Sequence, residues 1–312
     1  MRPLNVVLAC QEAAGSHALR RVVDRGHRIV AVFTDASRDQ SGAGGAASAA
    51  AALGLNVRDA ALVREAALAQ WLQGEDVDLL LNVHSLHRIA EAVVEAPRIG
   101  SFNLHPGPLP GFPGLNAPSW AIYEQAPRFG CTVHWMDADI DTGRIAYETS
   151  FPVAERDTGL SLSARCAREG IELLERLLDD LVADPAGVPR LEQHGERVER
   201  GSGPPHEGRV DWSQPAETIA AFSRACDFGP FRSPWGRPRA ALRGDEVTLV
   251  RARAVPDEIA DGVEPGVVVA VDADELCVAA GAGSVLRVAR LGRGAEVVGA
   301  ATEAAPGARF TA

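Results

Sequence analysis

The residues whose types and spacing could do chemistry are Asn103 and His105, two positions apart in SFNLHPGPLPGFPGLN (101–116). Side chains two positions apart on a strand point to the same face, and the Pro-rich loop that follows is stiff. An amide and an imidazole would therefore share one site in a fixed orientation. The acidic turn DADIDTG (137–143) comes next, and a carboxylate beside a histidine stabilises the imidazolium and lets it act near neutral pH. These residue types predict a site for hydrogen bonding and proton transfer.

Apolar segments alternate with helical patterns over the first part of the chain. The segments that predict strands are 4–9, 28–34, 77–83 and 101–105, and helical periodicity occurs near 16–26, 59–73 and 116–125. This alternation predicts a Rossmann-like α/β domain with a mostly parallel sheet and helices on both faces. Ligands bind at the carboxyl ends of strands in such sheets, and Asn103 and His105 lie at one of these ends.

Further segments complete this domain and separate it from a second one. Strand patterns at 130–136 and 145–153 precede a long helical pattern at 159–183, with Asp157 or Thr158 as its candidate cap.

The segment HGERVERGSGPPHEG (194–208) breaks the periodicity and has the composition of a linker. We therefore predict a catalytic domain over residues 1–200 and a β-rich domain over 207–312. One amphipathic segment (215–226) and several Val-rich runs separated by turn residues predict that the second domain is a small OB-like β-barrel. These runs are 246–255, 266–272, 275–281 and 285–291.

The composition excludes several classes of protein. All 31 basic residues are Arg, which rules out a lysine Schiff base or a P-loop lysine. The turn QEAAGS (11–16) lacks G-x-G-x-x-G, which argues against a dinucleotide site. The net charge of −11 divides into −8 for residues 1–206 (19 Arg, 27 acidic residues) and −3 for 207–312 (12 Arg, 15 acidic residues). This argues only mildly against nucleic acid, because affinity depends on where the Arg residues lie.

Cysteine usage and hydropathy indicate a compartment. The five Cys residues are an odd number without C-x-x-C spacing, and we find no export signal, which fits a reducing environment and predicts a cytoplasmic protein. No apolar run approaches the roughly 20 residues of a membrane helix, so we expect no membrane association. Low complexity occurs only at GAGGAASAAAALGL (42–55).

Two segments resemble the folate-dependent formyltransferase family. SFNLHPGPLPGFPGLNAPSWAIYEQ and GCTVHWMDADIDTGRI contain, in order, the family's N-x-H, a Pro-rich loop, a W-A-I helix, a G-x-T strand and a D-x-G turn. G-R-V-D-W-S (208–213) and P-A-E-T-I (215–219) are similar to the C-terminal domain of methionyl-tRNA and amino-sugar formyltransferases. The resemblance therefore covers essentially the whole chain.

The resemblance implies formyl transfer from 10-formyltetrahydrofolate to a primary amine, with Asn103, His105 and Asp141 as the catalytic residues. The Asn103 amide and a protonated His105 would stabilise the oxyanion of the tetrahedral intermediate, and Asp141 would favour the charged imidazole. Asp137 and Asp139 are alternative sources of this carboxylate. Whether His105 or a water takes the amine proton is open.

The resemblance also implies binding positions for the two substrates. The predicted folate-binding residues are Leu86, His87, Arg88, Ile89, Met136, Asp139 and Ile140. The predicted acceptor-binding residues are Gln11, Glu12, Ser16, Pro106 and Gly107. Arg88 could instead meet the glutamate tail of the folate, and Ser16 could be a plain helix cap.

A metal site could be built from four histidines, His84, His87, His105 and His134. The sequence has neither an H-E-x-x-H motif nor paired Cys, so we expect no metal. Structural support of the acidic turn is the preferred role for His134.

Departures from the family pattern bear on the acceptor. The loop 34–50, which is basic in methionyl-tRNA formyltransferases, has only Arg38 against two Asp. RACDFGPFRSPWGRPRAAL (224–242) resembles formyltransferase domains attached to nonribosomal peptide synthetases. We therefore predict a primary amine on a small molecule or on a carrier-protein-bound aminoacyl group, from specialised metabolism, ahead of an amino sugar and then tRNA. Hydrolysis of the formyl donor would use the same three residues with water as the acceptor.

Overall fold

The computed structural model of the protein describes residues 2–38 and 44–312. Residues 39–43, which belong to the predicted low-complexity segment and to the loop after the second strand, lie outside the described residues. The chain forms two compact units. The first comprises residues 1–114, 128–151 and 163–200, and the second comprises 115–127, 152–162 and 201–312. The predicted domain boundary at 201–206 stays a prediction.

A seven-stranded sheet forms the centre of the first unit. Its strands are β1 (Asn5–Cys10), β2 (Arg28–Thr34), β3 (Val57–Asp59), β4 (Leu79–Val83), β5 (Gly100–His105), β6 (Arg128–Trp135) and β7 (Ile145–Pro152). The strand order is β3-β2-β1-β4-β5-β6-β7, with parallel pairing from β3 to β5 and an antiparallel pair of β5 with β6. The prediction of a mostly parallel, Rossmann-like sheet is confirmed.

Helices cover both faces of this sheet. They are α1 (Glu12–Asp24), α2 (Ala46–Ala52), α3 (Leu68–Gly74), α4 (Glu91–Glu95) and α6 (Gly159–Ala183), and α5 (Ala117–Tyr123) precedes α6 in the chain. Within β5, the Ser101 hydroxyl donates to the Val94 carbonyl of α4 at 2.6 Å. Leu104 instead packs against α6, where a Cβ at Gly170 would overlap its methyl groups. Since residues 101 and 104 point to opposite faces of a strand, α4 and α6 lie on opposite faces of the sheet.

The helix predicted over 59–73 is confirmed only in its last part, where α3 (Leu68–Gly74) lies, and residues 59–64 differ from the prediction. Val57 pairs with Val32 in β3, and the Asp59 carboxylate then accepts from the Ala61 N–H at 2.8 Å. This contact begins a short 3₁₀ turn at Ala60–Arg64, because an aspartate that bonds the backbone two residues on favours a turn over a helix. The helix cap proposed at Ser16 is wrong, since α1 begins at Glu12 and Ser16 is buried within it.

An antiparallel sheet dominates the second unit. Its strands are β8 (Arg239–Leu242), β9 (Asp245–Ile259), β10 (Val268–Asp272), β11 (Glu275–Ala279), β12 (Ser284–Arg293), β13 (Glu296–Gly299) and β14 (Phe310–Thr311), and α7 (Ala216–Ala225) packs on β9 and β12. The strand order is β10-β11-β12-β9-β8-β14, with β13 beside β12. Register shifts between β9 and β12 let these long strands curl. A β-rich C-terminal region is therefore confirmed, and the OB-like closure stays a prediction.

All five cysteines are buried free thiols. Among the helices formed by residues 2–38 and 44–312, none combines the length and the apolar character that crossing a bilayer requires.

Candidate functional site

Asp141 lies at the centre of a buried polar cluster at the carboxyl end of β5. Its carboxylate accepts from the Asn103 amide at 3.1 Å and from the Gly114 N–H at 2.8 Å. The Nδ1 of His105 lies 3.5 Å and the Nε2 of His134 lies 3.4 Å from the same carboxylate. Asp141 is only 6% exposed. We call Asn103, His105, His134 and Asp141 the buried cluster.

Strand register and a tight turn bring the cluster together. Asn103 of β5 pairs with His134 of β6, so their side chains share one face. The chain then returns through the turn 137–143, in which Asp141 has a left-handed φ of 56°. A Cβ at Gly143 would overlap the Trp135 carbonyl, so only glycine lets this turn lie directly against the end of β6.

The other two acidic residues of the turn have different contacts. The Asp137 carboxylate accepts from the Thr142 hydroxyl at 2.5 Å and from the Asp139 N–H at 3.3 Å, which closes the turn on itself. Asp139 is exposed and lies 3.6 Å from Arg88. The structure therefore places Asp141, and neither of the alternatives, beside His105.

Burial decides the protonation state of His105. It lowers the pKa of His105, opposing the Asp141 carboxylate and the Phe112 carbonyl, which raise it. The neighbouring His134 and the Arg197 guanidinium lower this pKa further. The balance lowers the pKa of His105 below its ordinary value, and the role of a protonated His105 stays a prediction. Its Nε2–H donates to the Phe112 carbonyl at 2.6 Å, which leaves Nδ1 as the basic nitrogen facing Asp141.

Asp141 stays ionised. Burial alone would raise its pKa, but His105, His134 and the Gly114 N–H together hold that pKa well below the usual carboxyl range. His134 Nδ1–H donates to the Trp135 carbonyl at 2.7 Å, so its Nε2 accepts from the Asn103 amide at 3.1 Å. Both Asn103 N–H groups thus bind within the cluster, and a bound oxyanion would have to replace one of these contacts.

The Pro-rich loop is anchored to β6. The Thr132 hydroxyl donates to the Gly107 carbonyl at 2.9 Å and accepts from the Leu109 N–H at 3.3 Å. Pro106 is half-buried and Gly107 is buried. Pro106 and Gly107, two of the five predicted acceptor-binding residues, therefore lie in the fixed part of the loop, next to His105.

The structure also shows contacts to the site that the sequence analysis missed. Residues 189–200, which we call the strap, were partly interpreted as a linker, but 194–200 belong to the first unit. Arg197 donates to the carbonyls of Asp141 at 3.0 Å and Ile140 at 2.9 Å. Gln193 donates to the carbonyls of Asp141 at 3.0 Å and Gly143 at 2.8 Å. Gln193 and Arg197 are isolated polar residues, and the sequence around them forms no pattern that predicts these contacts.

The predicted folate-binding residues come from two loops that touch. Arg88 donates to the Ala138 carbonyl at 2.8 Å. Leu86 and Ile140, one from each loop, are 53% and 55% exposed, which is unusual for large apolar side chains. Ile89 is buried, whereas His87 and Met136 are half-buried.

Three predicted acceptor-binding residues, Gln11, Glu12 and Ser16, lie after β1, and their surroundings differ. The Gln11 side chain donates to the Asp35 carbonyl at 2.8 Å and accepts from the Asp35 N–H at 3.0 Å, so it joins the ends of β1 and β2. Ser16 is buried. Glu12 is exposed and has a left-handed φ of 57°.

His84 is a further histidine at this edge of the sheet. It follows β4 at the level where His105 ends β5, since Val83 pairs with Leu104. Burial lowers the pKa of His84 to about 4, and the charge of His105 contributes. Its Nε2 is buried without a hydrogen-bond partner among the described residues. Across those same residues, no group of three or more His, Cys, Asp or Glu is arranged to hold a metal ion.

Comparisons with known proteins agree over nearly the whole chain. Residues 6–178 match the formyl transferase family, and residues 204–305 match the formyl transferase C-terminal domain. The methionyl-tRNA formyltransferase of Alcanivorax borkumensis is 30% identical over 296 residues, which cover 92% of this chain and 86% of that enzyme. The methionyl-tRNA formyltransferase of Thiobacillus denitrificans is 29% identical over 288 residues, 91% of this chain and 90% of that enzyme.

Solved structures share the fold at lower identity. WlaRD, a sugar 3N-formyl transferase studied with dTDP and 5-N-formyl-THF, has a TM-score of 0.67 and 14% identity, covering 92% of this chain and 98% of its own. The N-formyltransferase of Helicobacter canadensis, in complex with folinic acid and dTDP-3-aminofucose, has a TM-score of 0.65 and 14% identity, covering 91% and 98%. Identities this low establish a common fold and leave the acceptor open.

Proposed function

We propose that this chain, which belongs to the formyl transferase family, moves a formyl group from 10-formyltetrahydrofolate to a primary amine on a small molecule or on a carrier-bound aminoacyl group. Membership in the family makes it a formyl-transferring enzyme with a folate donor. The observation that carries the proposed mechanism is the buried cluster, in which the His105 Nδ1 lies 3.5 Å from the Asp141 carboxylate.

Each member of the cluster has a task in this mechanism. The acceptor amine attacks the formyl carbon, the bond from that carbon to the folate nitrogen breaks, and the proton lost by the amine balances the proton gained by the folate. His105 takes up the amine proton at Nδ1, and Asp141 stabilises the resulting imidazolium. Asn103 exchanges one of its contacts for the developing oxyanion. One such donor typically lowers the barrier by roughly 3 to 4 kcal/mol.

The proposed folate site lies where the two loops meet. Leu86 and Ile140 offer apolar side chains to a flat ring, and solvent-exposed side chains of this size are typical of a binding surface. Arg88 fixes one loop to the other at 2.8 Å. A guanidinium so close to the surface also suits the carboxylates of a glutamate tail.

The pairing of four of the twelve arginines of residues 207–312 with carboxylates favours a small acceptor over tRNA. In the C-terminal unit, Arg253, Arg293 and Arg309 lie 2.6 to 2.7 Å from carboxylates. Arg287 contacts Glu258 and lies 2.8 Å from Asp272. Arginines that already bind carboxylates gain little from meeting phosphates, because the ion pair must first break.

Methionyl-tRNA is the second candidate acceptor. The observation in its favour is similarity at 30% identity across 92% of this chain to an enzyme named for that substrate. Under this alternative the same cluster would transfer the formyl group to the α-amine of the charged tRNA.

Release of tetrahydrofolate from 10-formyltetrahydrofolate, followed by absorbance, tests the proposal. The enzyme is incubated separately with amino acids, carrier-bound aminoacyl groups, amino sugars and charged initiator tRNA. We expect release that depends on the amino acids or the carrier-bound groups. Release only with tRNA would favour the second candidate, and equal release without any acceptor would make the protein a hydrolase.

A further inference from the structure

The strap lies against the turn 137–143, in which the site holds Asp141 in an unfavourable backbone conformation. Asp141 has a φ of 56°, a region that side chains with a Cβ avoid. Such a conformation persists only where the surroundings hold it. Among the described side chains, those that bind the main-chain carbonyl of Asp141 are Arg197 and Gln193, both at 3.0 Å.

The same two side chains also bind the residues on either side. The second guanidinium nitrogen of Arg197 donates to the Ile140 carbonyl at 2.9 Å. Gln193 donates to the Gly143 carbonyl at 2.8 Å. Three carbonyls between residues 140 and 143 are thus fixed by two side chains, one of them charged, and charged donors make the stronger hydrogen bonds.

The strap is itself fixed to the sheet, so it can act as a support. The Trp135 indole N–H donates to the Pro189 carbonyl at 2.7 Å, and the Arg190 guanidinium lies 3.4 Å from the Trp135 ring. Leu191 and Ile145 exchange backbone hydrogen bonds of 2.8 and 2.9 Å. The strap therefore forms one backbone bridge with the start of β7 and packs against the Trp135 side chain at the end of β6.

A third strap residue reaches the opposite side of His105. Arg200 donates to the Gly111 carbonyl at 2.7 Å, and its guanidinium lies 4.1 Å from the Phe112 ring. The carbonyl of Phe112 is the group that accepts from His105. The strap thus contacts the partners of both ring nitrogens, Asp141 on the Nδ1 side and Phe112 on the Nε2 side.

We infer that the strap is a positioning element of the reaction site, in which Arg197 and Gln193 hold Asp141 against His105 through its main-chain carbonyl. The inference rests on the proposed roles of Asp141 and His105. Neither Arg197 nor Gln193 touches the reacting atoms, so both act through the turn. A displacement of the turn by about 1 Å would be expected to lower kcat on the order of 10²-fold.

Arg197 also carries a charge that His105 senses. The charged or titratable groups that influence His105 are Asp141, which raises its pKa, and His134 and Arg197, which lower it. His84, at the neighbouring strand end, titrates under the influence of His105. Removing the Arg197 charge should therefore raise the pKa of His105, and the acid limb of the rate profile should move to higher pH.

Three variants of the full-length enzyme separate charge from geometry. Arg197→Gln removes the positive charge. Arg197→Lys keeps the charge but lacks the two guanidinium nitrogens that bind the Asp141 and Ile140 carbonyls. Gln193→Ala removes only the hydrogen bonds of an uncharged side chain. We expect kcat to fall about 10- to 100-fold in each, with KM for both substrates within about twofold. The acid limb should move to higher pH only in Arg197→Gln. Arg144→Ala, which removes an exposed pair with Glu192 of the strap, is the matched control and should be unchanged.

Titration of His105 by NMR of the free enzyme provides a readout independent of turnover. A raised pKa in Arg197→Gln and an unchanged one in Arg197→Lys and Arg144→Ala support the inference. An unchanged kcat and an unchanged His105 titration in folded Arg197→Gln and Gln193→Ala would overturn it. If the titration moves as expected while Asp141→Asn keeps full activity, the inference stands and the proposed mechanism fails.

Discussion

Asp141 in the first unit and Arg287 in the second each collect several charged or polar partners, but their surroundings differ. Asp141 is buried among the side chains of the buried cluster. Arg287 contacts Glu258, Asp272 and Glu275 on the face of the antiparallel sheet, and we call these four residues with Arg253 the surface network. The side chains of Arg287 and Asp272 are 20% and 59% exposed, against 6% for Asp141.

The difference shows how burial makes the protonation of a charge pair depend on its neighbours. In the buried cluster, desolvation lowers the pKa of His105 while the Asp141 carboxylate raises it, and His105 in turn helps to hold the pKa of Asp141 low. Small changes in charge then decide where a proton lies. In the surface network, the hydrogen-bonded guanidinium of Arg253 lowers the pKa of Glu275. We therefore expect substitutions to alter catalysis in one region and very little in the other.

The largest effect should come from Asp141→Asn. Without the carboxylate, nothing stabilises the imidazolium that forms during transfer, and kcat should fall about 10²- to 10⁴-fold. Folate binding, measured by fluorescence titration, should remain, because Asn can still accept from the Gly114 N–H. Asp272→Asn in the surface network is the matched control. Full activity of Asp141→Asn would show that this carboxylate takes no part in the mechanism. Substitutions in the buried cluster and in the surface network would then have the same small effect on catalysis.

His105→Ala should have the next largest effect. The variant loses the proton acceptor but keeps Asn103, so kcat should fall on the order of 10²- to 10³-fold in a single-turnover assay. Imidazole added to the assay should restore part of the rate, since the side chain leaves a space next to Asp141. A kcat near that of the wild type would favour a water as the proton acceptor.

The sequence predicted the parts of the site that rest on strand alternation and missed those that rest on main-chain carbonyls. Asn103 and His105 follow from their spacing and from the end of an apolar strand. The choice of Asp141 came from the family pattern alone. Arg197 and Gln193 bind carbonyls, which every residue has, so no residue type at the turn signals these partners. The helix expected at 59–73 is confirmed only over α3, because the apolar spacing of the whole segment also fits a strand followed by a 3₁₀ turn.

A moderate effect on stability is expected for His84→Gln. In the folded protein the pKa of His84 is about 4, against an ordinary value of 6.5. As pH falls through 6.5 toward 4, the unfolded chain takes up a proton that the folded chain does not, so stability is lost in this window. The variant should lose less stability than the wild type between pH 7 and pH 5, by up to about 2 kcal/mol.

Urea unfolding at the two pH values measures this difference. His17→Gln, at an exposed position of α1, is the control and should follow the wild type. If His84→Gln and the wild type lose equal stability, the imidazole is not kept neutral by burial. The edge of the sheet beside His105 would then be better hydrated than its packing indicates.

The smallest effect should come from Arg287→Gln in the surface network. Exposed ion pairs contribute little because water screens them and both side chains lose freedom when they pair. We expect unchanged kcat and KM and a slight decrease in Tm, which should shrink as salt is raised, since salt already weakens the pairs in the wild type. Arg197→Gln in the strap is the informative partner, because it also removes one guanidinium. A tenfold loss of activity in Arg287→Gln would mean that the C-terminal unit's charges take part in catalysis, and burial would no longer explain which charges matter.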